Sequence, residues 1–283
     1  MQNTGILTTW LVNHVFRPPI VDDVVKKDIL SLMEHFGLIA KFSTSSGEKY
    51  YVPAQMRVGI GSLRSVVPSS SDPCPLYIDF DTGFVPHGVF AQIVCRSISW
   101  ISGMEIHKNT SKRLQKNREK DDIKLSQNGA FFIIRRDVTA HSLKLVCKKR
   151  FIKIVLKKEG EAQQIPDDSS NEMATQVREF LENTLEVLAD QFRYLHGLQY
   201  SLCVACPSCV VEGQECTKCG KLGCRQDTCL DLVGVYPGDQ MFCTVTQEAV
   251  KVNGIEQWFP KTTKEVTRQL FSFHNQRYLT AST

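Results

Sequence analysis

No stretch of this chain stays apolar for the roughly 18 residues that a membrane-crossing helix needs. Its opening residues, MQNTGILTTW, lack the basic region and cleavage site of a secretory signal. A soluble, cytoplasmic protein with no transmembrane segment is therefore expected. No G-x-x-x-x-G-K-[ST] motif occurs. Gly59-x-Gly61 lacks the lysine and the helix of a phosphate-binding loop, so the chain should not bind GTP by itself. The loops of a protein kinase are missing as well. So is a strong excess of either charge: 34 lysines and arginines stand against 30 aspartates and glutamates, and a net charge of +4 permits an acidic partner without demanding one.

Apolar residues are plentiful. With 283 residues, 42% of them hydrophobic, the chain can build one large domain or two to three small ones, and it is not a disordered protein. The cysteines are unevenly distributed: eight of the eleven fall between Cys203 and Cys243. In a chain without a secretory signal, such a cluster suggests reduced, metal-binding thiols rather than disulfides. Cys74, Cys95 and Cys147 are scattered, and Cys95 and Cys147 are expected as buried core thiols.

The rest of the chain is organised around residues 76–100. Leu76, Ile78 and Phe80 alternate with Tyr77 and Asp79, the period of a strand with one buried face. Asp81-Thr82-Gly83 supplies a turn, and Pro86 suits the first turn of a helix. Val89, Phe90, Ile93, Val94, Cys95 and Ile98 then fall on one helical face, with Gln92, Arg96 and Ser99 on the other. Upstream lie ILSLMEHFGLIAKF (residues 29–42) and YYVPAQM (residues 50–56); downstream come long basic strands. The order of these pieces, over about residues 6–200, resembles the COR domain of Roco proteins, the segment that follows a Ras-like Roc GTPase domain. The resemblance implies a non-catalytic module of a signalling protein that dimerises and couples a Roc domain, in cis or in trans, to its neighbours. GTPase or kinase activity would belong to other domains of a longer protein.

In residues 1–56, Ile6, Leu7, Trp10, Leu11 and Val15 mark one apolar stripe, and Val25, Ile29, Leu32, Met33 and Phe36 a second. Two packed helices are expected, the second opened by Asp22 and Asp23 and capped by Gly37. A hairpin should follow around STSSGEK. Helix, helix, hairpin is a winged-helix-like arrangement, here a COR-A portion. The second helix sets Lys26, Lys27 and Ser31 against Asp22, Asp23, Asp28 and Glu34, the wrong charge for a DNA backbone. The missing first helix suggests a fragment or a truncated gene product. Residues 57–75, rich in Gly, Pro and Ser, read as a linker.

Residues 76–200 read as a COR-B-like domain of antiparallel sheet and helices. After a Lys-rich stretch from 107 to 124, expected as an exposed loop, Asn128-Gly129 marks a hairpin. Leu143, Leu145 and Cys147, then Ile152, Ile154 and Leu156, alternate as strands around the turn Lys148-Lys149-Arg150. Four strands thus join the first in a sheet with one wet side. Ser169 and Glu172 form a capping box for a long helix with a stripe of Met173, Val177, Phe180, Leu181, Leu185, Leu188 and Phe192. That helix covers the sheet or another subunit; the resemblance implies a homodimer through this half.

Residues 201–262 read as a Cys-rich module. Cys203/Cys206, Cys206/Cys209 and Cys216/Cys219 have knuckle spacing, and two knuckles complete the tetrahedral thiolate shell of structural zinc. The first ligand set is Cys206, Cys209, Cys216 and Cys219. Cys203, Cys224, Cys229 and Cys243 are alternates, because the gap from Cys209 to Cys216 is short for a zinc ribbon. A redox pair would need a βαβ context that Cys206–Cys209 lacks, and catalytic zinc would want histidine ligands and an acid–base carboxylate, for which the nearby candidates are only His196, Glu212 and Glu215. Residues 263–283 have little pattern and should fray. The fold class expected is α+β, with no catalytic and no cofactor-binding residues. The rival reading is a nucleic-acid binder built from a winged helix and a zinc ribbon, using the lysines around 108–124 and 144–158.

Overall fold

A computed structural model describes residues 5–17, 21–44, 47–56, 66, 68–106, 122–136, 139–159, 169–207, 210–215, 222–224, 229–232, 235, 239–243 and 246–259. The described fold is α+β, with four α-helices and antiparallel sheets.

The N-terminal unit starts with a short strand, β1 (Ile6–Thr8). The Thr8 hydroxyl accepts the Leu11 amide and so begins α1 (Thr9–Val15); Asp22 accepts the Val25 amide and begins α2 (Asp23–His35). Gly37 ends the α2 segment at φ +60°, a region glycine enters without a Cβ penalty. The hairpin β2 (Ala40–Thr44) and β3 (Gly47–Tyr51) then joins β1 in the order β1–β3–β2.

The packing of this unit departs from the expected stripes. Ile6 and Leu7 lie in a strand, Trp10 and Val15 are exposed, and Val12 is buried with Ile39 and Tyr50. On α2, Leu30 and Met33 join that small core, while Val25, Leu32 (57% exposed) and Phe36 of the expected stripe face outward. The helix has two adjacent apolar flanks, and the small core takes only one of them.

The second unit is a seven-stranded sheet of order β12–β9–β4–β8–β7–β6–β5. Its strands are β4 (Leu76–Phe80), β5 (Ile123–Ser126), β6 (Gly129–Arg136), β7 (Thr139–Cys147), β8 (Phe151–Glu159), β9 (Tyr200–Ala205) and β12 (Cys229–Asp231), all paired antiparallel. Five strands were expected; the other two come from the stretch that leads into and through the cysteines. Because β9 pairs along the whole of β4 opposite β8, β4 is interior and all five of its residues are buried.

One face of the sheet carries α3 (Val89–Ile106) and α4 (Ser169–Gln191). The apolar positions of α3, from Val89 to Ile98, are buried as their spacing predicts. The helix begins at Val89 rather than Pro86, since Pro86 and Gly88 (φ +83°) form the turn before it. On α4, Met173, Val177, Leu181, Leu185 and Leu188 pack onto the sheet, and Glu172 forms an ion pair with Arg136 at 2.7 Å; the Ser169 side chain of the expected capping box lies outside what the structure describes.

The opposite face is drier than expected. Tyr77, Phe151 and Cys203 form a buried cluster there, with the Tyr77 and Phe151 rings edge-on at 5.6 Å, and Phe131 and Ile133 pack with Val66. Tyrosine reads as half-polar in an alternating strand, yet most of its surface is ring, which gains from burial. The end of the expected linker is also fixed: Asp72 is buried and accepts the amides of Ser69 and Lys158. The remaining short strands are β10 (Val210–Glu215) with β11 (Leu222–Cys224), and β13 (Met241–Phe242) with β14 (Ala249–Val250). The chain then returns to the sheet, where the fully buried Trp258 donates from Nε1 to the Cys74 carbonyl at 2.8 Å. Among the described residues no helix is long and apolar enough to cross a membrane.

Candidate functional site

Two connected hollows follow the seam between α3 and α4. The larger, about 710 Å³, is closed at one end by Glu34 and His35 of α2; the smaller, about 500 Å³, runs on to Trp100 and Met104. Arg96, Phe180, Thr184 and Val187 line both, so they form one groove. Its apolar part is the Trp100 ring stacked on Phe180 at 4.6 Å, beside the exposed Val187.

Polar groups hold the N-terminal unit against this seam. Gln92 points from α3 to the end of α2 and donates through Nε2 to the Phe36 carbonyl. One turn on, the Cys95 thiol donates to the Gly37 carbonyl at 3.3 Å. From α4, Gln191 contacts the His35 ring nitrogen Nε2 at 3.1 Å and accepts from Arg96 Nη2 at 2.7 Å. A chain of side chains, His35, Gln191 and Arg96, therefore links three helices. Arg96 Nε is buried without a partner among the described residues, and burial lowers the pKa of the guanidinium.

Burial pushes the Cys95 thiol up to about 12, so it stays protonated and serves as a hydrogen-bond donor rather than a nucleophile. Glu34, at the mouth, is also raised, first by burial and then by Glu48, with Lys41 opposing. The groove thus offers a guanidinium, rim carboxylates and an apolar floor, a set suited to holding a partner group.

The expected zinc ligands are only partly placed. Cys206 follows β9 and is fully buried in the main core, as is Cys243 after β13. Cys203 lies on the other face of β9, against Tyr77 and Phe151, so its side chain points away from that of Cys206. Cys224 closes β11 opposite Val210, and Cys229 opens β12 opposite Ala205. Cys209, Cys216 and Cys219 lie outside the described residues. Among the described residues no three metal-ligating side chains converge. Of the two core thiols expected, Cys95 is buried and Cys147 is half-buried.

No protein-family model matches this chain, and no curated protein matches it. Sequence reading did not single out the seam. Its signal was present: Gln92 and Arg96 sit four residues apart on a mainly apolar helix, and Gly37, read only as a cap, lies where that helix meets α2.

Proposed function

We propose that the chain is a non-catalytic regulatory and dimerisation module of the COR type. A winged-helix-like unit and a sheet-and-helix unit would together couple a Roc GTPase domain to neighbouring domains. The observation that carries this reading is the polar joint between the units. Phe36 to Gln92, Gly37 to Cys95, and His35 through Gln191 to Arg96 are exchangeable hydrogen bonds at the mouth of a groove. A joint of this kind can be remade when a partner pulls on α2, whereas a wholly apolar one resists sliding because its packing is close and specific.

The outward stripe of α2, with Val25, Leu32 and Phe36, supports coverage by another protein. So does the chemistry of the groove, whose one thiol is held protonated. A homodimer through the sheet-and-helix half belongs to the same reading. Light scattering on the purified chain at tens of micromolar should give twice the chain mass, and a strict monomer removes the dimer.

Structural zinc in the Cys-rich module is part of the proposal. Cys206 and Cys243 are both fully buried in one core, and the Thr246 amide donates to Cys243 Sγ at 3.4 Å. An amide directed at sulfur across a tight turn stabilises a thiolate and fits a metal knuckle. Cys206 and Cys243 would hold zinc with Cys209, or Cys206 and Cys209 would do so with Cys216 and Cys219. The ion would staple the chain end to the sheet.

A further inference from the structure

The end of the large sheet at which β4 finishes is capped by three connecting segments that are hydrogen-bonded to one another. Residues 81–88 form the first. The Val85 amide donates to the Lys149 carbonyl at 2.9 Å, joining it to the β7–β8 turn. The Tyr194 hydroxyl donates to the His87 carbonyl at 3.5 Å, and the Asp81 amide to the Gln199 carbonyl at 3.3 Å, joining it to residues 192–199. Inside the first segment, Gly83 (φ +73°) makes the bend and the Thr82 hydroxyl donates to the Phe84 carbonyl at 2.9 Å. The cap is thereby braced from several sides.

It presents an unusual set of side chains. Phe84 is 53% exposed and Tyr194 is 64% exposed, on two different segments. The same three segments carry Lys148, Lys149, Arg150 and Arg193, against the single carboxylate of Asp81, with Lys148, Lys149 and Arg193 exposed. This small region therefore holds a net three positive charges in a chain whose total is +4. Among the described residues no carboxylate pairs with Lys149, Arg150 or Arg193.

We propose that this cap is a docking surface for an anionic lipid bilayer, with Phe84 and Tyr194 seated among the headgroups, Lys149 and Arg193 over the lipid phosphates and carboxylates, and the net positive charge of the cap drawing it to the surface. Tyrosine favours the headgroup layer, phenylalanine supplies apolar surface that is buried at the headgroup–acyl boundary, and clustered lysines and arginines near anionic lipid each add to the attraction. A nucleic-acid strand is the rival partner for such a surface. Strands are held in grooves lined by stacking platforms, and no cap residue lines either of the two hollows described along the α3–α4 seam. The proposal is independent of the dimer and of zinc.

Co-sedimentation of the full chain with vesicles tests it. Vesicles of phosphatidylcholine with phosphatidylserine should carry the protein down, and phosphatidylcholine alone should not. Each cation is worth roughly a fivefold change in partition, so Lys149→Glu, which removes one attraction and adds one repulsion, should weaken binding about 25-fold. Phe84→Ala should weaken it roughly fivefold, and Lys27→Glu, an equal charge change on α2, should leave it unchanged. Phe84→Trp supplies a second readout: the emission of the introduced indole should shift to the blue on adding the anionic vesicles. Equal losses from Lys27→Glu and Lys149→Glu, an emission from the Phe84→Trp variant that does not move, or binding to an oligonucleotide with none to vesicles would each overturn the proposal.

Discussion

Gly37 and Gln92 occupy one space. A Cβ placed on Gly37 would overlap the Gln92 carboxamide, the same group that donates to the carbonyl of Phe36. The end of α2 can approach α3 this closely only because one residue has no side chain and its neighbour in space carries an amide able to use the exposed carbonyl.

Gly37→Ala should therefore be costly in two ways. The left-handed backbone costs about 1 kcal/mol for alanine, and Gln92 must move, giving a total of about 2–3 kcal/mol. Gln92→Ala should cost about 1–2 kcal/mol by leaving the carbonyl without its partner. Because both act on one contact, the double variant should lose less than the sum of the two; urea melts of all three variants measure this, and strict additivity would show the contact to be absent.

Trp258 ties the chain after the cysteines to the large sheet. Its removal in Trp258→Ala should cost about 3–5 kcal/mol through the cavity left in the core. Trp258→Phe keeps most of the packing but strips the Cys74 carbonyl of its donor, and about 1–2 kcal/mol is expected. Denaturant midpoints at unchanged slope would report both losses.

Three thiols make stability depend on alkaline pH. Burial raises Cys74 and Cys95 to about 12 and Cys147 to about 11, against an ordinary value of 9.0. The folded state keeps these protons when the unfolded chain has lost them. Their contribution is thus complete below pH 9.0 and disappears as pH climbs from there toward 11 to 12. Melting temperature should fall across that window, and the fall should shrink in a Cys95→Ala background. The same thiols should react slowly with iodoacetamide at pH 8 until the protein is unfolded.

Metal content decides the zinc reading. The purified chain should carry zinc in stoichiometric amount, and Cys243→Ser should lose it, whereas Cys147→Ser, at a site far along the sheet from β9, should keep it. A chelator should lower the melting temperature of the wild-type chain and leave that of Cys243→Ser unchanged. Zinc-free protein with a full melting transition would remove the metal from the account.

Much of the fold could be read from residue spacing. The alternation in 76–80, the stripe from Val89 to Ile98, the hairpin at Asn128-Gly129 and the long stripe of α4 all correspond to elements whose apolar positions are buried. Periodicity works for these because each packs on one broad surface, so burial follows the period of the backbone. It worked poorly on α2, where two flanks are apolar and the small N-terminal core covers only the one with Leu30 and Met33. It also missed the seam, since Gln92, Arg96 and Gln191 acquire meaning only from neighbours far away in the chain.

The sequence by itself determined the elements: which residues turn, which alternate and which line one face of a helix. Tertiary structure alone decided that β9 lies beside β4, that Cys203 and Cys206 part to opposite faces of one sheet, and that a glycine and a glutamine meet at a joint. Local pattern is fixed by dihedral preference and side-chain period, which act over a few residues. Strand neighbours and groove walls are fixed by how complete surfaces fit together, and a linear reading contains no term for that.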